Sequence, residues 1–304
     1  MCPGCRALLS AGETPCPYCG WDVALTETRR RGGLVERAAR AAGGLVPLIL
    51  GANVLLALVT ALLSARFARE VTGMEEASLP GLLIAGIWSP GGAALYWLGA
   101  DIPEGILAGE WWRVLCPVFL HGGLLHLAMN MMALRNIGGA VEEAYGTGKA
   151  LAIYLLCGIA GSLASVVWFL HTGPFLEDGR PVLVPRIGAS GAILGYAGVL
   201  MGLGLRIGGE PGKALWKPLA QSVGFILVLG IALSFTDSPF QIDNSAHVGG
   251  FLVGLAAARV CDFGIRARGN LAAVRAWDAM AILLVLLTVA SFIPPAIAIA
   301  GVLE

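Results

Sequence analysis

Residues 188–202 read Gly188-Ala189-Ser190-Gly191-Ala192-Ile193-Leu194-Gly195-Tyr196-Ala197-Gly198-Val199-Leu200-Met201-Gly202. Gly188, Gly191, Gly195, Gly198 and Gly202 recur in steps of three and four, which places them along one face of a helix. The surrounding run, 187–207, is apolar and as long as the ~20 residues a helix needs to cross a bilayer. A stripe of small residues on such a span lets a second helix approach backbone to backbone. Ser190 stands at the head of this span, where a polar group is costly and usually functional.

The rest of the chain agrees with a membrane setting. Of 304 residues, 57% are hydrophobic and 13% are charged, whereas a soluble domain carries about 25% charged residues. Helices satisfy their own backbone polar groups, so the expected fold is an all-α polytopic bundle. Lys plus Arg equals Asp plus Glu at 20 each, so net charge gives no reason to expect a nucleic-acid partner. The first apolar run begins near Gly44, and no signal-peptide pattern opens the chain.

Hydropathy predicts seven spans, at 44–65, 114–135, 150–171, 187–207, 219–236, 244–261 and 277–302. The helix of the second is expected to begin after Gly122-Gly123, and the fifth and sixth are short. A long loop, 66–113, includes an apolar stretch at 79–100 that Ser89-Pro90-Gly91-Gly92 interrupts, and it is read as lying on the protein or in the interface. Basic residues concentrate at 29–40, Arg135, Lys149, Arg206, Lys213, Lys217, Arg259, Arg266, Arg268 and Arg275, against Arg66, Arg69, Arg113, Arg180 and Arg186 on the alternate connections. The bias predicts a cytosolic N-terminus and an outside C-terminus. Spans two, four and six then run inward, and His126, Ser190 and His247 each fall about one turn below the outer surface.

The sixth span carries its own stripe, His247, Gly250 and Gly254. Packed against the first stripe, it would bring His247 within hydrogen-bond reach of Ser190. A serine hydroxyl is a weak nucleophile until a base takes its proton, so His247 is the candidate base and later acid. His126 and Asn130 lie four apart on one face, and with the Ser190 amide they are candidate donors to an oxyanion. The plainer readings are a packing serine, a satisfied interhelical histidine and a polar clamp between helices. His121 either lines a water entry or caps a helix. Asp243, four residues before His247, makes an acidic third member conceivable but belongs more naturally to the outer loop, with Asn244 as a loop or pocket residue. The fifth span, with Gly224 and Gly230, and the loop 237–243 are read as a possible gate.

Taken together, the motifs resemble the rhomboid family of intramembrane serine proteases over about residues 44–262. The strings are Trp111-Trp112-Arg113, His121-Gly122-Gly123-Leu124-Leu125-His126-Leu127-Ala128-Met129-Asn130, Gly188-Ala189-Ser190-Gly191 and Ala246-His247-Val248-Gly249-Gly250, with Glu142 and Gly146 fitting a further loop pattern. The resemblance implies a six-helix core with a Ser190–His247 dyad, an oxyanion site from His126, Asn130 and the Ser190 amide, and a structured outer-leaflet loop around Trp112 and Arg113. The last span makes it six plus one. It also implies endopeptidase action on single-span membrane proteins near the outer surface, after a small residue, in the plasma membrane of a prokaryote. Leu194 departs from the pattern, since an aromatic residue commonly stands four positions after the serine.

Residues 1–26 form a separate module, joined to the membrane domain (44–304) by a basic linker, 27–43. Cys2-Pro3-Gly4-Cys5 and Cys16-Pro17-Tyr18-Cys19 are two CxxC pairs separated by ten residues, which resembles a zinc ribbon. On the cytosolic side, where disulfides are rare, Cys2, Cys5, Cys16 and Cys19 are expected to hold a structural Zn²⁺, with a redox dithiol as the alternative. The module would bind a cytosolic protein or regulate the enzyme; catalysis itself needs no cofactor. Rival readings of the whole chain are a catalytically inactive rhomboid-like protein that binds membrane helices, and a transporter, although no internal repeat is visible.

Overall fold

The computed structural model describes residues 34–70, 78–174, 176–177, 180–181, 183–236, 241–263 and 271–303, together with residue 15. The four cysteines of the N-terminal module and residues 27–33 of the basic linker lie outside the described residues, and so does the Zn²⁺ expectation attached to those cysteines; the rest of the linker is largely helix α1.

The chain forms helices α1 (Leu34–Ala41), α2 (Leu45–Glu70), α3 (Leu79–Trp88), α4 (Gly92–Trp97) and α5 (Pro103–Leu107). Two single-turn 3₁₀ segments, Trp111–Val114 and Cys116–Phe119, follow. Then come α6 (Leu124–Tyr145), α7 (Thr147–Thr172), α8 (Ser190–Ile207), α9 (Gly209–Leu233), α10 (Asn244–Val260), α11 (Leu271–Ser291) and α12 (Ile293–Leu303). Between α7 and α8 a two-residue antiparallel ladder joins Leu176–Glu177 to Arg180–Pro181, the one departure from an all-helical reading among the described residues.

Among the described residues, five segments are long and apolar enough to cross a membrane: Leu45–Arg69, Thr147–Thr172, Ser190–Ile207, Gly209–Leu233 and Ala272–Val302. The remaining two expected spans correspond to α6, which carries Asn130, Arg135, Glu142 and Glu143, and α10, which has 17 residues. The expected second helix does begin after Gly123. The last span is not one rod. Pro294 and Pro295 supply no N–H to the preceding turn, so α11 ends at Ser291 and α12 restarts at Ile293. The fifth helix is longer than expected, starting at Gly209 and running through Pro218.

Burial ranks the helices. About 67% of α7 and 72% of α8 are buried across their apolar windows, against 11% for α9. The two central helices carry the core: Tyr154 and Tyr196 are fully buried, their rings meet edge to face at 5.6 Å, and Tyr196 Oη donates to Ala150 O at 2.9 Å. Gly146, at φ +84°, sits in the left-handed region that permits the sharp junction between α6 and α7. Glu142 fastens the same corner. Its carboxylate accepts from Leu45 N at the start of α2 (3.1 Å) and from Thr147 Oγ1 (2.9 Å), a negative cap at a helix N-terminus.

The two glycine stripes meet as expected. A β-carbon on Gly250 would overlap the Gly191 carbonyl, one on Gly254 the Gly195 carbonyl, and one on Gly198 the Phe251 carbonyl. Gly161 of α7 closes on Ala246, where a β-carbon would lie 3.0 Å from the carbonyl oxygen. Helices α7, α8 and α10 therefore touch through their backbones, which fixes the depth of every side chain they carry.

Candidate active site

Ser190 is the first residue of α8 and His247 lies in the first turn of α10. The backbone contacts between the two helices bring His247 Nε2 to 2.7 Å from Ser190 Oγ. His247 is 6% exposed. Its Nδ1 is buried and has no partner among the described residues.

Asp243 is not the group that orients the imidazole. Its carboxylate caps α10, accepting from Ala246 N at 3.0 Å, and also accepts from the hydroxyls of Ser245 and Ser165. Arg186 Nε lies 3.4 Å from the same carboxylate. A side chain accepting from an amide in the first turn is a preferred helix start, and here it occupies the acid. Asn244 points away from the serine: its Nδ2 donates to Leu227 O at 3.0 Å, and its amide packs on Gly230, joining the start of α10 to α9.

On the other side of Ser190 the chain passes through Gly188 at φ +128°. A β-carbon there would lie 2.9 Å from both Cε1 and Nε2 of His126, so glycine is required twice, by its backbone and by its neighbour. Gly188 N donates to Pro117 O at 2.9 Å, pinning this segment to the outer loop. His126 Nδ1 accepts from Gly122 N at 3.2 Å. In neutral imidazole one nitrogen accepts and the other carries the proton. The Nε2 edge, which faces Gly188, is therefore the N–H edge. Asn130, one turn along, is 6% exposed and places one amide hydrogen on His126 O at 3.0 Å, which leaves its second hydrogen for another acceptor. The first backbone bond within α8 runs from Ile193 N to Ala189 O, so the Ser190 amide is one of the helix donors with no acceptor in its own helix.

The remaining expected residues support this centre from a distance. Arg113 is 3% exposed, donates to Tyr96 O (2.9 Å) and Ala100 O (3.0 Å), pairs with Glu110 and lies 4.4 Å from the Tyr96 ring centroid. Trp112 packs at Gly99. His121 is buried, with its ring edge-on to His126 at 5.2 Å. Gly191 and Gly250 form the backbone contact described above, and Leu194 packs with Ala197, Val223 and Phe251. Glu142 belongs to the α2–α6–α7 corner and not to the serine. Sequence reasoning missed Asp101 and the side-chain role of Arg186, which had been counted only as a charge for orientation. Asp101 is 2% exposed and exchanges two backbone hydrogen bonds with Arg186, at 2.9 and 3.0 Å. Nothing in a lone Asp 85 positions upstream advertises that pairing.

Comparison with known proteins places this geometry in a family. A family described as Rhomboid domain matches residues 108–262, just over half of the chain. The chain is 40% identical over 160 residues to "Rhomboid protease GluP" of Bacillus subtilis (strain 168), covering 53% of this chain and 28% of that protein. It is 32% identical over 163 residues to "Rhomboid protease AarA" of Providencia stuartii, covering 51% and 58%. A third relative, "Putative rhomboid protease YdcA" of Bacillus subtilis (strain 168), is 30% identical over 161 residues, covering 52% and 70%. The chain thus spans well under two thirds of the first two relatives. The region matched contains His126, Ser190 and His247, and on that match the chain belongs to the rhomboid family.

Proposed function

We propose that this protein is an intramembrane serine endopeptidase that cleaves membrane-anchored proteins, with Ser190 as nucleophile and His247 as general base and acid. The observation that carries the reading is the 2.7 Å contact between Ser190 Oγ and His247 Nε2, which is within the distance a base needs to take the proton.

In this mechanism His247 Nε2 accepts the Ser190 proton as Oγ bonds to the scissile carbonyl carbon, and the carbonyl π pair moves onto oxygen. The oxyanion is held by the Ser190 amide, the Nε2–H of His126 and the second amide hydrogen of Asn130. Each donor of this kind is typically worth ~10²–10³ in rate. Collapse expels the amine, which takes the proton from His247 and leaves an acyl-serine. Water then adds to the ester with His247 as base, and Ser190 Oγ leaves with the proton returned. With Asp243 engaged in capping α10 and no carboxylate on Nδ1 of His247 among the described residues, the reading is of a dyad, in which packing orients the ring.

The substrate must expose a carbonyl that helical hydrogen bonding hides, so Gly or Pro near the bond would lower the cost of unwinding. A small residue before the bond and cleavage near the outer leaflet follow the family resemblance. The proposed topology has a cytosolic N-terminus, with α6 and α10 crossing alongside the five apolar segments. The cysteine module is proposed to hold structural Zn²⁺ through Cys2, Cys5, Cys16 and Cys19 and to engage a cytosolic protein. Native mass spectrometry finding two disulfides and no metal would sink that part.

The central test is cleavage of a single-span substrate in proteoliposomes by wild type, Ser190→Ala and His247→Ala. Both variants are expected to be inactive, and a fluorophosphonate probe is expected to label Ser190 in wild type. Undiminished cleavage by Ser190→Ala would refute the mechanism.

A further inference from the structure

Two segments bring the nucleophile and the base together from opposite sides. One is the stretch 183–189 that leads into Ser190, bridged to Asp101 at Arg186, and the other is the start of α10 that leads into His247. Arg186 stands four residues before Ser190, and Asp243 stands four residues before His247. The two side chains meet, Nε to Oδ2, at 3.4 Å, with each side chain roughly one-fifth to one-quarter exposed.

Both partners are themselves anchored. The Arg186 backbone is bonded in both directions to Asp101 in the outer loop, and Gly188 N is bonded to Pro117 O. Asp243 caps α10 through Ala246 N and receives the hydroxyl of Ser165 from α7. Asp101, buried beside this pair, does not compete for the guanidinium at neutral pH. Burial pushes its carboxyl up to about 8 despite the lowering effect of Arg186, so it is mostly protonated and the positive charge is left to Asp243.

We infer that Arg186 and Asp243 are positioning residues that brace the Ser190 segment against the His247 helix and so set the distance between Oγ and Nε2. The inference rests on the protease reading above. The glycine contacts set the depth of α8 and α10, up to the approach of Gly191 to the Ala246 carbonyl beside the two reacting residues; this ion pair ties together the segments that lead into the two helices. A misplacement of about 1 Å in a reacting group can cost ~10²-fold in rate, so a brace of this kind acts on kcat.

The substitutions Asp243→Asn and Arg186→Gln separate bracing from capping. Asparagine caps a helix as well as aspartate does, so Asp243→Asn keeps the start of α10 while it removes the charge pair and turns the oxygen that accepts from Ser165 into a donor; Arg186→Gln removes the pair and leaves the Ser165 bond in place. In full-length protein in proteoliposomes, each single variant is expected to lose about tenfold or more in kcat on a single-span substrate, with KM within about threefold. The double variant is expected to be no slower than the worse single one. Arg186→Lys, which can still reach Asp243, is expected to recover part of the loss. Rates are referred to the fraction of molecules that fluorophosphonate can titrate, so a poorly folded variant is not mistaken for a slow one. Losses that multiply in the double variant, or a kcat per titrated site equal to wild type in both singles, would overturn the brace. Ser190→Ala run beside them keeps the two ideas apart. If it is inactive while Asp243→Asn and Arg186→Gln cleave normally, only the brace falls; if it cleaves, the protease reading falls first.

Discussion

Gly250 and Gly191 touch backbone to backbone: a β-carbon on Gly250 would overlap the carbonyl oxygen of Gly191. Gly191 follows Ser190 directly, and Gly250 is one turn beyond His247. The contact that sets the distance between α8 and α10 is thus within a turn of both members of the proposed dyad.

Gly250→Ala is therefore expected to push the helices apart and abolish cleavage together with probe labelling of Ser190. Gly51→Ala on α2, where a β-carbon meets nothing within 4 Å, is the control. It replaces a residue that costs about 1 kcal/mol in a helix, so its activity should be at wild-type level and its unfolding midpoint equal or higher. Comparable activity in the two variants would contradict the packing argument.

Gly188→Ala places a methyl group against the His126 ring and demands φ +128° of an alanine. His126→Ala removes the N–H edge and the Nδ1 acceptor of Gly122 N but demands no unfavourable φ. Both are expected to lower kcat by ~10²-fold or more, with the larger fall in unfolding midpoint in Gly188→Ala. Steady-state kinetics beside thermal unfolding in detergent separates the two.

Arg113 is nearly sealed from solvent, with two carbonyls, a carboxylate and an aromatic ring around it. Arg113→Gln leaves the Glu110 charge and the two carbonyls short of donors. Glu110 is 32% exposed and can turn to water, so the cost is below the ~3–5 kcal/mol of a fully buried pair and comes mainly from the two buried carbonyls. The expected result is a clear fall in unfolding midpoint, with the residual folded fraction still labelling at Ser190. An unchanged midpoint would show that the outer loop does not depend on this residue.

Asp101 gives the chain a pH dependence with a definite sign. Burial raises its carboxyl from 3.8 to about 8 in the folded protein. The unfolded chain therefore releases this proton first, and stability falls as pH rises from about 4 to about 8, then levels off. Asp101→Asn mimics the protonated acid and removes that slope. The variant should match wild type near pH 4 and exceed it by several degrees of unfolding midpoint at pH 8, with Arg186 and Asp243 unchanged. A wild type that gains stability through that range on account of Asp101, measured as the difference from Asp101→Asn, would reverse the argument.

Much of the centre was legible along the chain because its logic is periodic. The glycine steps in α8 and α10 report a face, and a face at fixed spacing carries Ser190 and His247 to one level without any knowledge of neighbours. The same is true of His126 and Asn130 on α6. Breaks were legible where proline or glycine forbids continuation, as at Gly122-Gly123. At Pro294-Pro295 the signal was present, but an apolar run was read through it. The hydropathy count was least informative for α6 and α10, because α6 carries Asn130, Arg135, Glu142 and Glu143 and α10 has only 17 residues.

Local sequence alone pointed to the helical bundle, the helices that could pack closely and the residues proposed as nucleophile, base and donors, because each of these follows from side-chain chemistry repeated at helical spacing. Only tertiary structure decided that Asp243 caps a helix instead of orienting His247, that Glu142 fastens a distant corner, that His126 turns its N–H edge toward Gly188, and that Arg186 pairs with Asp243 while its backbone is held by Asp101. Those outcomes depend on which loops meet above the bundle, and hydrogen bonds between residues far apart in the chain leave no period in the sequence to read.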